Sequence, residues 1–115
     1  MKFSLKSKVW LEKGGRKVFG DGPCDILERV ERTGSLRQAA SEINMSYSQA
    51  WGLIYGLEKK LGLPLLTRQA GGEGGGGSVL TREGKELSRR FSAFRKEMNR
   101  AQDELFDKHF GRGDG

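Results

Sequence analysis

A single cysteine, Cys24, and a single histidine, His109, stand among the 115 residues. One thiol excludes an internal disulfide and fits a reducing compartment. The lone imidazole has no Cys/His spacing around it that would hold a metal. Cys24 falls at the start of an expected helix, where a thiol pKa can drop; the alternative is a buried, structural cysteine. Long apolar runs are missing too, so no segment approaches the length of a membrane span. Met1-Lys2-Phe3-Ser4-Leu5-Lys6 is interrupted by charge too often for a signal peptide. These absences predict a cytoplasmic protein with no membrane partner. They also leave no metal cluster and no Ser/His/Asp set, so the chain reads as a non-enzyme without a cofactor.

Charge and glycine are plentiful. The formal net charge is +6, which suits a polyanionic partner. Lys2, Lys6, Lys8, Lys13, Arg16 and Lys17 face only Glu12 across the first twenty positions, where plain solubility is the competing explanation. The length fits one domain with a modest core.

The most informative stretch runs from Thr33 to Arg68. Gly34 ends one helix and Ser35 offers a side-chain oxygen to cap the next. Leu36, Ala39, Ala40 and Ile43 then recur at helical spacing. Ala39 and Ala40 are small enough to let a second helix cross closely. Asn44 tolerates the left-handed backbone of a tight turn. Ser46 caps a third helix whose inward residues are Ala50, Ile54, Leu57 and Leu61. Its outward start carries Tyr47, Ser48, Gln49 and Trp51, the position from which a recognition helix reads base edges. A helical hairpin that serves packing alone is the competing interpretation.

Around this unit the pattern changes period. Phe3, Leu5, Val9 and Leu11 alternate with Lys2, Ser4, Lys6 and Lys8, predicting a half-buried strand over 2–11. Gly14-Gly15 is a turn signal and Arg16 to Phe19 can return as a second strand. Gly20-Asp21-Gly22 breaks the pattern, and Pro23 suits the first turn of a helix buried through Ile26, Leu27 and Val30. Gly62 and Pro64 stop the third helix. Leu65-Leu66-Thr67-Arg68 and Ser78-Val79-Leu80 are strand-like and flank the run Gly71-Gly72-Glu73-Gly74-Gly75-Gly76-Gly77. A hairpin directly after a recognition helix is a wing.

Gly72 to Gly77 literally matches G-x-G-x-x-G. The dinucleotide fingerprint needs a helix opening immediately after it, whereas here the loop leads into Val79-Leu80. The phosphate loop of nucleotide hydrolases needs Gly-Lys-Ser/Thr, and this loop ends Gly77-Ser78-Val79. A wing tip, whose bare backbone can approach phosphates, accounts for the glycines; a purely flexible surface loop is the alternative.

Thr81 caps a last helix running to about Phe110. Leu87, Phe91, Phe94, Met98, Ala101 and Leu105 follow alternating steps of four and three, an a/d stripe. A helix of about 29 residues spans roughly 43 Å, longer than so small a body covers. The stripe therefore predicts a homodimer interface made by these six residues. The competing possibility is that the first half packs on its own domain and the end frays. Gly111-Arg112-Gly113-Asp114-Gly115 reads as a loose tail.

Together these motifs resemble the N-terminal DNA-binding domain of ModE, the molybdate-responsive transcriptional regulators, whose winged helix is related to that of LysR-type regulators. The resemblance covers about residues 22–105. It rests on Gly34-Ser35-Leu36-Arg37-Gln38-Ala39-Ala40, on Ser46-Tyr47 with Ala50-Trp51, on Leu57 through Arg68, and on the glycine run with Leu80-Thr81 and Gly84. It implies a dimeric regulator that grips the major groove with its third helix and flanking backbone with its wing. Ser48 and Glu73 stand where the family often carries basic residues. ModE continues into molybdate-binding domains after the long helix, so no molybdate binding is expected in this chain.

The expected fold is mainly α with a small β component. It is a winged helix-turn-helix with an N-terminal β-strand or hairpin and a long C-terminal dimerisation helix. Residues 1–80 would form the DNA-binding domain, with 1–20 as the N-terminal hairpin and 65–80 as the wing. Residues 81–110 would be the dimerisation helix and 111–115 the tail. The expected partner is double-stranded DNA, bound by a homodimer. Tyr47, Ser48, Gln49 and Trp51 are the candidates for base contact. Ser35, Arg37, Lys59, Lys60, Arg68, Gly74 and Gly75 are the candidates for backbone contact. The rival is a winged-helix interaction module that pairs with a separate ligand-sensing subunit and binds DNA weakly.

Overall fold

The computed structural model describes residues 2–69 and 77–111. In chain order its elements are β1 (Trp10–Lys13), β2 (Arg16–Gly20), α1 (Asp21–Thr33), α2 (Leu36–Glu42), α3 (Tyr47–Leu61), β3 (Leu66–Gln69), β4 (Gly77–Leu80) and α4 (Arg82–Phe110). Two small antiparallel hairpins, β1–β2 and β3–β4, accompany the four helices. This is the mainly α, winged helix-turn-helix architecture that the sequence predicts. Most of the glycine run, with Gly74 and Gly75, and the tail residues 112–115 lie outside the described residues.

Helix boundaries fall where the chain supplies caps. Gly34 takes a left-handed conformation at the end of α1 and donates its N–H to the Val30 carbonyl at 2.7 Å, and Gly62 closes α3 in the same way. Ser35, Ser46 and Thr81 accept a backbone N–H in the first turn of α2, α3 and α4. Each such cap contributes ~1 kcal/mol.

The core forms where α1, α2 and α3 cross. Leu27, Val30, Ala39, Ala40 and Ala50 have no measurable exposure. The three alanines let backbones approach, and the branched residues of α1 fill the space between them. Burying a Leu or Val of this kind is worth ~1.5–3 kcal/mol. Ion pairs tie the surface of the same unit: Glu42 of α2 binds both Arg29 (2.9 Å) and Arg32 of α1.

Cys24 lies in this core. Its thiol faces the Ser88 carbonyl at 3.6 Å. Burial, opposed by the Ser88 hydrogen bond and reinforced by Glu28, Asp21 and Asp25, pushes its pKa up to about 11. The thiol is therefore a protonated packing group, and the lowered pKa that a helix start permits does not occur.

The N-terminus departs from expectation. The half-buried strand expected over 2–11 is only Trp10–Lys13, paired with β2 through the Gly14-Gly15 turn. Phe3, Leu5 and Leu11 are exposed. The reason is partner length: β2 ends at Gly20, where α1 begins, so residues before Trp10 have no strand to pair with. Arg95 of α4 instead holds this segment, through hydrogen bonds to the Ser7 carbonyl and hydroxyl at 3.1 Å and to Asp21 at 3.0 Å.

The long helix begins inside the body. Gly84, Ser88 and Phe91 are buried, and Phe91 packs edge-on against Phe19 with ring centres 5.5 Å apart. At Gly84 a β-carbon would run into the Leu65 carbonyl, so only glycine lets α4 pass the strand connection this closely. Beyond Phe91 the helix leaves the core, and the molecule reaches 57 Å along its longest axis.

Candidate nucleic-acid interface

The turn between α2 and α3 is held by backbone hydrogen bonds to the Ala40 and Ser41 carbonyls. Asn44 adopts a φ of 56°, and the Met45 N–H returns to the Ala40 carbonyl at 2.9 Å. Ser46 then opens α3 with a reciprocal cap: its hydroxyl accepts the Gln49 N–H at 3.0 Å, while Gln49 Oε1 accepts the Ser46 N–H at 3.1 Å. That second bond settles the amide orientation, because a backbone N–H requires the oxygen. The Gln49 Nε2 group takes no part in the cap and keeps its donors. Ser48 and Gln49 are both exposed.

Tyr47 and Trp51 are half-buried, and Tyr55, one turn further on, is exposed. Their four-residue spacing puts the three rings on one face of α3, with Trp51 and Tyr55 centres 4.9 Å apart. Cations interleave with them. Arg37 lies 4.4 Å from the Tyr47 ring centre, Arg68 lies 5.1 Å from that of Trp51, and Lys59 lies 4.7 Å from that of Tyr55. Tyr55 escaped the sequence reading, although its spacing from Tyr47 and Trp51 carried the signal. Lys60 is exposed beside Lys59 at the end of the helix.

The strands β3 and β4 are fixed to the helix-turn-helix at two places, and their flanks to each other at a third. Glu58 of α3 accepts the N–H groups of Leu65 (2.7 Å) and Leu66 (3.1 Å) with one carboxylate oxygen. The Ser78 N–H donates to the Gly34 carbonyl at 3.0 Å, where Gly77 approaches so closely that a β-carbon would stand 2.8 Å from that oxygen. Thr81 donates its hydroxyl to the Pro64 carbonyl at 2.7 Å and its N–H to that of Leu65 at 2.9 Å. Between α3 and the strands remains a cavity of about 110 Å³ lined by Leu36, Trp51, Ile54 and Leu66, with Glu58 and Arg68 at its polar side. Glu58 was missed because sequence places it merely near the end of a helix; only the fold brings the two strand N–H groups to it.

The expected site residues therefore separate into groups. Tyr47, Ser48, Gln49, Trp51, Arg37 and Arg68 come together around the start of α3. Ser35 is engaged as the α2 cap, its hydroxyl accepting the Gln38 N–H at 3.0 Å and its N–H donating to the Thr33 hydroxyl at 3.3 Å. On α4, Leu87 is half-buried against the core and Phe91 is 3% exposed. Those two are taken up within the chain. Phe94 at 45% and Leu105 at 56% remain open, as does Ala101, with Met98 half-buried. The far end of α4 meets the N-terminal segment, where Phe3 packs edge-on against Phe110 at 5.6 Å. An open groove of about 450 Å³ runs between Leu5 and the Met98, Leu105 and Phe106 side chains.

Among the described residues no helix is long and apolar enough to cross a membrane. The family described as bacterial regulatory helix-turn-helix proteins, lysR family, matches residues 24–85. The molybdenum-pterin-binding protein MopB of Rhodobacter capsulatus is 36% identical over 85 residues, which is 74% of this chain and 31% of that protein. The DNA-binding transcriptional dual regulator ModE of Escherichia coli K12 is 33% identical over 93 residues, 80% of this chain and 36% of the relative. Among solved structures, ArgP of Mycobacterium tuberculosis superposes with a TM-score of 0.56 at 26% identity, covering 74% of this chain and 30% of that one. The chain thus spans about a third of the length of the curated relatives it matches.

Proposed function

The chain belongs to the bacterial regulatory helix-turn-helix proteins of the lysR family, and from that premise we propose that it is a transcriptional regulator that binds duplex DNA as a homodimer. The observation that carries this reading is the start of α3: a capped helix end with exposed Ser48 and Gln49, bordered by Arg37 and Arg68. In this proposal α3 enters the major groove and the strands β3 and β4 lead a glycine-rich wing to the flanking backbone. Tyr47, Ser48, Gln49 and Trp51, around the first turn of α3, are the candidates for base contact. Arg37, Arg68, Lys59 and Lys60 supply phosphate contacts. Ser35, through the hydroxyl proton that its capping role leaves available, and the wing glycines Gly74 and Gly75 complete the backbone contacts. The part of α4 from Phe94 onward is the dimer element.

Gln49 gives the reading its sharpest form. Its oxygen is tied to Ser46, so the projecting Nε2 donors suit an acceptor edge in the groove, such as guanine O6 or N7. Gln49→Glu keeps the cap and removes the donors. It should cost ~1–3 kcal/mol at one base position while the melting temperature holds.

The decisive experiment is a salt titration of the unmodified chain on duplex DNA. Regulators of this kind lose affinity linearly in log salt, with a slope of about −0.9 per phosphate contact. Five or more contacts are expected of a dimer, and a flat response removes the proposal. A second reading keeps some support from the open apolar half of α4: an interaction module that pairs with a separate ligand-sensing subunit and binds DNA only weakly. It predicts a shallow salt slope together with a monomeric chain.

A further inference from the structure

Tyr47 is the meeting point of two cations from two different elements. The guanidinium of Arg37, in α2, lies 4.4 Å from its ring centre, and that of Arg68, in β3, lies 5.8 Å from it. Arg68 Nη2 also donates to the Tyr47 hydroxyl at 2.7 Å, and Trp51 supports the same guanidinium at 5.1 Å. Like charges repel, and holding two long side chains on one residue costs rotamer entropy. Cation–π attraction and the hydrogen bond offset that cost. Other arginines of this chain, such as Arg29, Arg32 and Arg95, are paired with carboxylates. Arg37 and Arg68 make no ion pair among the described residues. The nearby carboxylate of Glu58 is engaged with the Leu65 and Leu66 N–H groups. The protein thus orders two cations at the opening of α3 and, among the described residues, gives neither an acidic partner.

We infer that Arg37, Tyr47 and Arg68 form a two-phosphate clamp for the DNA backbone, in which Tyr47 is a positioning residue and leaves base reading to its neighbours. The inference rests on the DNA-binding reading above and assigns Tyr47 a different role within it. A guanidinium carries five N–H donors, and Arg68 commits one group to the tyrosine hydroxyl, so both arginines keep donors for phosphate oxygens. Because Tyr47 holds them before DNA arrives, less entropy is lost on binding.

The test uses a mixed-sequence duplex at several salt concentrations, with the full chain and five variants. Tyr47→Phe keeps the ring and removes the hydroxyl; it should weaken binding about fivefold on every sequence alike. In an Arg68→Ala background the same change should have no further effect. Tyr47→Leu removes the platform for both arginines, and the magnitude of the salt slope should fall towards that of an Arg37→Ala, Arg68→Ala double variant, about 3.6 below the unmodified chain for the four contacts of a homodimer. Melting curves verify that each variant stays folded. A Tyr47→Phe effect that persists without Arg68, or that changes the preferred base at one position, overturns the clamp and makes Tyr47 a base reader. A silent Tyr47→Phe also overturns it, while DNA binding itself stands. If the unmodified chain shows no salt-dependent binding, the DNA reading falls and takes the clamp with it.

Discussion

The first three turns of α4 and its later turns carry one continuous apolar stripe, yet they live in different surroundings. Leu87 and Phe91 pack on the chain's own core, whereas Phe94 and Leu105 face outward. The spacing of these residues is the same heptad throughout. The difference comes from what stands opposite. The early turns meet α1 and Phe19, and Gly84 lets them approach Leu65. The later turns outrun the three-helix body: past the Arg95–Asp21 ion pair they run beside the segment that holds Phe3 and Leu5. A heptad stripe therefore records that a helix is covered along one face, and leaves open whether the cover is its own domain or another molecule.

The largest effect should come from breaking the covered half. Phe91→Ala leaves a cavity against Phe19 and is expected to destabilise the chain by ~3–5 kcal/mol, read by denaturant unfolding. Leu105→Ala, at an exposed position of the same stripe, should move the unfolding free energy of a dilute, dissociated chain by less than ~0.5 kcal/mol. Equal losses at both positions would erase the distinction between the halves.

Charge in the open half tests what covers it. Phe94 is open in the single chain and Met98 is half-buried, so Phe94→Glu with Met98→Glu should leave the body folded. In a dimer seam the same pair buries charge without a partner and should cost ~3 kcal/mol or more in association. Sedimentation should show the unmodified chain as a dimer and the variant as a folded monomer. A monomeric unmodified chain would remove the second copy as the cover.

Smaller effects are expected where polar groups hold the body that the covered half joins. Glu58→Ala leaves the Leu65 and Leu66 N–H groups without their acceptor and should cost ~1–3 kcal/mol, with Glu58→Gln recovering part of it. Should both variants unfold at the same denaturant concentration as the unmodified chain, the wing strands are held by something other than that carboxylate. The smallest effect belongs to Glu42, whose pKa is lowered first by Arg32 and then by Arg29. A carboxyl with a depressed folded pKa stabilises above its unfolded value, and that contribution disappears as pH falls through the folded one. Stability of the unmodified chain should therefore decline below the ordinary carboxylate range slightly more than that of Glu42→Gln. The two melting curves should converge at the lowest pH.

Much of this molecule was legible from local chemistry. Ser46 and Gln49 form their cap from residues three apart, Asn44 takes the left-handed turn, and Thr81 starts the last helix. Each depends on neighbours a few positions away, and short-range rules suffice. The strand expected over 2–11 fell short because pairing depends on the length of a partner, and β2 ends at Gly20.

By itself, then, the sequence determined the helices, their caps, the turn that makes α2 and α3 a unit, and the basic, unstapled character of the chain. Tertiary structure alone decided which residues meet across the fold. It brought Glu58 to the wing strands, set Arg37 and Arg68 on Tyr47, and turned Phe91 inward while Phe94 stayed out. The physical reason is range. Caps and periodicity act through bonds within a turn or two of helix, whereas these contacts join residues far apart along the chain, and only packing selects them.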